Sequence, residues 1–223
     1  MSQEQYAVAR PTESLLATNK LIRNTYILLS MTLLFSAATA GISITTNMPF
    51  MGPLVTLGGY FGLLFLTTHL RNSAWGLLSI FALTGFMGLT LGPMINAYLK
   101  FYANGGQLVM LALGGTGAIF LGLSGYALTT RKDFTFLGGY VFVGIMVAFL
   151  AGIGALIFNL PALSLAVSAV FIMLMSAFIL YQTSAMVHGG ETNYIMATIS
   201  LYVSIYNLFT SLLQLLGAFA GED

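Results

Sequence analysis

After its first 24 residues the chain is written in long apolar blocks cut by short polar breaks. A helix crossing hydrocarbon needs about 20 mostly apolar residues. Seven blocks meet that length, at approximately 25–46, 54–70, 75–98, 107–129, 136–158, 161–186 and 194–217. The breaks between them read "NMPFMGP", "HLRNS", "KFYANGG", "TTRKDF", "NLP" and "VHGGETN", all with turn chemistry. Strands of a membrane barrel alternate apolar and polar residues over about 10 positions. These blocks are longer and apolar on all sides, so they predict helices. Pro161 fits the first turn of the sixth, where its missing N–H costs little. The expected fold class is an all-α integral membrane protein with seven transmembrane helices. Residues 1–24 hold too few apolar side chains to fold alone and read as a flexible tail. The transmembrane domain is then 25–217, and 218–223 forms a short C-terminus.

The seventh block is the most polar. Asn193, Ala197, Ser200, Ser204, Asn207, Ser211 and Gln214 follow one another at alternating spacings of four and three, which is one face of a helix. Ile199, Leu201, Ile205, Leu208 and Leu212 occupy the other side. A polar stripe at membrane depth belongs against protein or a water-filled cavity. The pattern therefore predicts that the other helices enclose helix seven. The stripe is either interhelical glue or the wall of a polar path, and Tyr194, Tyr202 and Tyr206 suit both. Tyr181, Gln182, Thr183 and Ser184, near the end of helix six, are candidate partners. The Gln182 amide is predicted to point inward, away from lipid.

Small residues repeat where helices must approach closely. Gly85, Gly88 and Gly92 share a face of helix three, and Gly144, Ala148 and Gly152 recur on helix five. Both sets read as packing surfaces.

Lysine and arginine set the orientation. With the N-terminus inside, the inner side collects Arg10, Lys20, Arg23, Arg71, Arg131 and Lys132, against Lys100 alone outside. Seven crossings then place Glu222 and Asp223 outside. Hydrophobic residues make up 58% of the 223-residue chain and charged residues 6%, far below the roughly 25% of a soluble domain. The lipid bilayer is thus the first partner. A net charge of +1 points to no nucleic acid. Without cysteine there is no disulfide, thiol nucleophile or thiolate metal site.

Titratable groups are few. His188 and Glu191 share the loop before helix seven, and Glu191 is expected at the interface, capping that helix. Two such ligands without a third make no metal site. No aspartate falls within a span, and neither HExxH nor GxSxG occurs. The composition points to a non-enzyme with no cofactor.

Four stretches, "TTRKDFTFLGG" (129–139), "LPALSLAVSAVFI" (160–172), "HGGETNYI" (188–195) and "SLYVSIYNLFTSLLQLLG" (200–217), resemble the transmembrane Bax inhibitor motif family. The chain is most similar to its bacterial YccA-like inner-membrane branch, and the likeness extends to "LIRNTYILLSMTLLFSA" (21–37). The resemblance implies seven helices with the last central and the other six around it. It implies a bacterial inner-membrane protein that binds and inhibits the membrane protease FtsH, with the N-terminal tail available as a grip.

Other members of the family are pH-sensitive calcium leak channels, sensing through an aspartate on helix six and another on helix seven. Here the corresponding motifs read Tyr181-Gln182-Thr183 and Leu201-Tyr202-Val203-Ser204. Gln182 and Ser204 can hydrogen-bond but cannot titrate, and they offer no carboxylate to a hard cation. An ion leak, linked to calcium or protons and running along helix seven, is the second reading.

Overall fold

The computed structural model describes residues 4–221, with side chains from Leu16 onward. Its elements are α1 Glu4–Thr45, α2 Pro53–Leu70, α3 Trp75–Phe101, α4 Gly105–Thr130, α5 Leu137–Ile157, α6 Pro161–Val187 and α7 Tyr194–Ala220. All seven are long and apolar enough to cross a membrane. The membrane-competent part of α1 runs Leu16–Thr45, so the first span begins before the expected residue 25. The expected tail overlaps this helix from Glu4 and its membrane-competent part from Leu16. Its earlier side chains, and Glu222 and Asp223, lie outside the described residues.

Helix ends follow the local chemistry. Pro53 and Pro161 open α2 and α6, where a missing N–H costs little. Asn47 and Asn159 turn the chain with φ of 49° and 50°, a region asparagine tolerates better than most residues. Pro93 lies inside α3 and cannot donate to the carbonyl of Leu89 one turn earlier. In hydrocarbon that oxygen needs another donor. The Ser43 hydroxyl of α1 supplies it at 2.9 Å.

This bond is part of the α1–α3 seam. Gly88 lies under Ser36 and Thr39, Gly92 under Ser43, and Gly85 against Phe35. A Cβ at Gly88 would meet the Ser36 carbonyl and the Thr39 hydroxyl, so glycine is what allows this approach. The second small-residue set also packs as expected. Gly144 meets Leu174 and Gly152 meets Val167, both across the α5–α6 contact, and Ala148 is buried.

Helix α7 packs on α1, α3, α4 and α6, while α2 rests on α3 and α5 on α6. Among the residues of α7 only Phe219 is exposed. Its apolar side is as buried as its polar one, with Leu201 and Ser204 both at 0% exposure. The main core brings together Leu29 of α1, Ile80 and Leu83 of α3, Ile179 of α6, and Ile195 and Leu208 of α7.

The two ends of the bundle differ in charge. At one end the α6–α7 turn meets the α2–α3 turn, and the α4–α5 turn meets the end of α6. Arg71, Arg131 and Lys132 are exposed in these turns, with Lys20 and Arg23 at the start of the first span. At the other end Lys100 donates to the Asn47 side chain at 2.9 Å, and Asn96 donates to the Ile44 carbonyl at 3.2 Å.

Candidate functional site

The stripe on α7 begins at the basic end, where Asn193 is the N-cap. Its side-chain oxygen accepts from the N–H groups of Ile195 and Met196 at 3.0 and 3.1 Å. These are orphan donors of the first turn, and asparagine is a preferred residue for satisfying them. Its amide nitrogen donates to the Arg71 carbonyl at 3.1 Å and to Asn72 Oδ1 at 2.9 Å. One side chain therefore caps α7 and ties it to the α2–α3 turn. Glu191, the expected cap, stands just before the helix. Its carboxylate accepts from the N–H groups of Thr192 and Asn193 at 2.8 and 2.7 Å, which shapes the turn that delivers Asn193. An Asn side chain is short enough to fold back on its own helix start. Glu191 lies too early in the chain to reach those donors.

Deeper in, the stripe is satisfied in two ways, within its own helix and across to α6. Ser204 donates to the Ser200 carbonyl at 2.8 Å, and the Asn207 amide to the Val203 carbonyl at 2.8 Å, both within the helix. Ser211 is buried. Gln214 reaches across to α6, donating to Ser164 Oγ at 2.6 Å and accepting from Ser168 Oγ at 2.8 Å. Ser164 and Ser168 lie four residues apart, on one face of α6, so one amide side chain can meet both. Small and amide side chains thus hold helices together here, at roughly 0.6 to 2 kcal/mol per interhelical bond.

Gln182 is buried on α6, and its amide nitrogen has no hydrogen-bond partner among the described residues. It points inward as expected. No hydrogen bond joins it to Ser204, whose proton stays on its own helix. Gln182 and Ser204 are thus two neutral groups that act separately.

Several polar contacts were not anticipated. The Tyr202 hydroxyl donates to the Thr84 carbonyl at 3.2 Å, so the Ser36 hydroxyl must donate to Tyr202 at 2.6 Å. This pins α7 to α1 and α3 at once. Tyr26, Ser124 and Thr183 form a hydroxyl chain through α1, α4 and α6, the Ser124–Thr183 step measuring 3.3 Å. Isolated Ser and Thr residues within apolar blocks carry no periodic signal, so only their meeting in space shows these networks.

His188 follows the last turn of α6, exposed. Its Nδ1 lies 2.9 Å from the Ser184 carbonyl, which can only accept, so Nδ1 carries the hydrogen. Ser184 Oγ accepts from Phe134 N–H at 2.9 Å and donates to the Lys132 carbonyl at 3.3 Å, fastening the α4–α5 turn. In that turn the Thr135 hydroxyl and N–H both donate to Asp133, at 2.6 and 2.8 Å. These bonds hold the Asp133 carboxyl below its usual pKa of 3.8, with nearby His188 a smaller contribution. Among the described residues no group of three His, Cys, Asp or Glu side chains could hold a metal ion.

Comparison with known proteins places these features in context. The family model described as "Inhibitor of apoptosis-promoting Bax1" matches residues 18–221. A protein of Escherichia coli K12 named "Modulator of FtsH protease YccA" is 52% identical over 94% of both chains. An uncharacterized protein of Pseudomonas aeruginosa is 52% identical over the full length of both. An uncharacterized membrane protein of Vibrio cholerae is 41% identical, also over the full length of both.

Proposed function

This chain belongs to the Bax inhibitor family, and from that membership we propose that it is an inner-membrane regulator that binds and inhibits the FtsH protease. The observation that carries the reading is the 52% identity, over 94% of both chains, to a protein named as a modulator of that protease. Identity at that level over nearly the whole of both chains supports shared function as well as shared fold. In this reading the basic end, with Lys20, Arg23, Arg71, Arg131 and Lys132, faces the cytoplasm, following the excess of positive charge on cytoplasmic loops. The N-terminus is then cytoplasmic and the C-terminus periplasmic. The protein acts by association within the bilayer and not as an enzyme.

The test is a pulse-chase of membrane substrates of FtsH in cells that overproduce this protein, combined with co-purification from membranes. Substrates should persist longer and the protease should co-purify. Unchanged half-lives would refute the proposal.

Ion leak along α7 has less behind it. Neither Gln182 nor Ser204 carries a carboxylate. Among the described side chains the carboxylates are Asp133 and Glu191, both in turns at the basic end. Flux through liposomes holding the protein, equal to that of empty liposomes at acid and neutral pH, would dispose of this reading.

A further inference from the structure

A cavity of about 490 Å³ lies between α2 and α3 on one wall and α5 and α6 on the other, with α7 behind. Its lining residues lie near the middle of their helices, as Tyr60 does in α2, Phe149 in α5 and Tyr206 in α7. The cavity therefore sits deep in the membrane. Across it, α2 and α5 meet at the edge-on ring contact of Phe61 with Phe149, centroids 5.9 Å apart.

The walls are apolar and rich in rings: Tyr60, Phe61, Phe86, Phe149, Phe178 and Tyr206. Thr56, Tyr60, Thr90, Tyr206 and Asn207 are its polar lining residues. Thr90 gives its proton to the Met87 carbonyl at 2.7 Å, so Tyr206 gives its own to Thr90, 3.0 Å away. The Asn207 amide nitrogen is taken by Val203, which leaves Oδ1 without a donor among the described residues. The Tyr60 hydroxyl has no hydrogen-bond partner among the described residues. A free donor and a free acceptor at mid-membrane depth are costly unless a ligand meets them.

Size and depth narrow the occupant. A helix 10 Å wide with a 5.4 Å pitch fills about 420 Å³ per turn, so the cavity holds about one turn and no spanning partner helix. A phospholipid carries its polar atoms at the interface and offers only hydrocarbon at this depth. Space this apolar does not fill with water and makes no ion path. What remains is a lipid whose polar group travels deep in the bilayer: a flat ring bearing oxygens, on an apolar tail.

We propose that the cavity binds the head ring of an isoprenoid quinone, with its tail leaving between α2 and α5. The ring stacks among the aromatic side chains. The Tyr60 hydroxyl donates to a ring carbonyl. In the reduced ligand a ring hydroxyl donates to Asn207 Oδ1. The volume lies within the roughly 300–1,000 Å³ of small-molecule sites.

The test uses the full chain in nanodiscs, labelled with a photoactivatable azido-quinone carrying a decyl tail. Labelling should saturate, map to lining residues such as Phe61 and Phe149, and be displaced by decylubiquinone but not by decanoic acid. Tyr60→Phe keeps the ring and removes the donor. It should weaken binding about fivefold to tenfold, the worth of one hydrogen bond. Ile145→Trp fills the cavity and should abolish site labelling, while Leu121→Trp on the exposed face of α4 should leave it unchanged. Equal displacement by decanoic acid would show an acyl-chain site and overturn the proposal. So would label spread evenly over lipid-facing residues, or Tyr60→Phe binding like the parent. The Tyr60→Phe comparison decides the matter if Ile145→Trp does not fold.

Discussion

Asn193 performs two separable jobs, and substitution can measure each. Asn193→Ala removes the cap of α7, worth about 1 kcal/mol. It also removes two donated bonds, to the Arg71 carbonyl and Asn72 Oδ1. These lie at the exposed end of the bundle, so each contributes about 0.5 kcal/mol, the low end for a net hydrogen bond. The expected loss is about 2 kcal/mol. Asn193→Asp keeps an acceptor for Ile195 and Met196 and adds a charge favoured at a helix N-terminus by roughly 0.3–1 kcal/mol. It loses both donated bonds and turns a carboxylate toward two oxygens, so its net cost is about 1 kcal/mol. Asn72→Ala, which deletes one tie alone, should cost about 0.5 kcal/mol. Its effect should shrink in the Asn193→Ala background, because the partner is already gone. The assay is equilibrium unfolding in mixed micelles titrated with a denaturing detergent. Equal losses for Ala and Asp would refute the capping role. A loss below about 0.5 kcal/mol for Ala would refute the whole account.

Other outcomes follow from the same geometry. Gly88→Val drives a side chain into the Ser36 backbone and should cost about 3 kcal/mol or abolish folded yield. Gly62→Ala, where an added Cβ meets nothing within 4 Å, should stabilise by about 0.5 kcal/mol in the same unfolding assay. Gln214→Leu breaks two bonds to α6 and should cost about 1 kcal/mol, and Ser164→Ala in that background should then be nearly silent. For Asp133 the folded pKa is lowered, so its stabilising contribution is present above the usual carboxylate value and disappears as pH falls through the folded one. Unfolding profiles of the parent and Thr135→Val should therefore differ in acid, below about pH 4, and run parallel from pH 5 to 8. Gln182→Asp with Ser204→Asp introduces two buried acids and should add pH dependence between 5 and 8, read by the same unfolding assay.

The number, length and order of the helices were legible in the chain because hydrocarbon imposes one rule on every span: apolar residues for about 30 Å, with the backbone satisfied internally. Six helices appear within a few residues of the apolar blocks. The first starts earlier because a helix can continue past the hydrocarbon into polar sequence. Glycine spacing marked the α1–α3 and α5–α6 faces, since close approach has few other solutions. The stripe on α7 was legible as a face, but not its partners. Periodicity says which side a residue occupies and nothing about what stands opposite. Only the tertiary structure decided that Gln214 meets Ser164 and Ser168, that Ser43 meets the carbonyl freed by Pro93, and that Asn193 takes the cap from Glu191. It also left Gln182 and Ser204 without a bond between them, and opened a cavity behind Tyr60 and Tyr206. Those outcomes depend on distances between side chains far apart in sequence, and no local pattern encodes such distances.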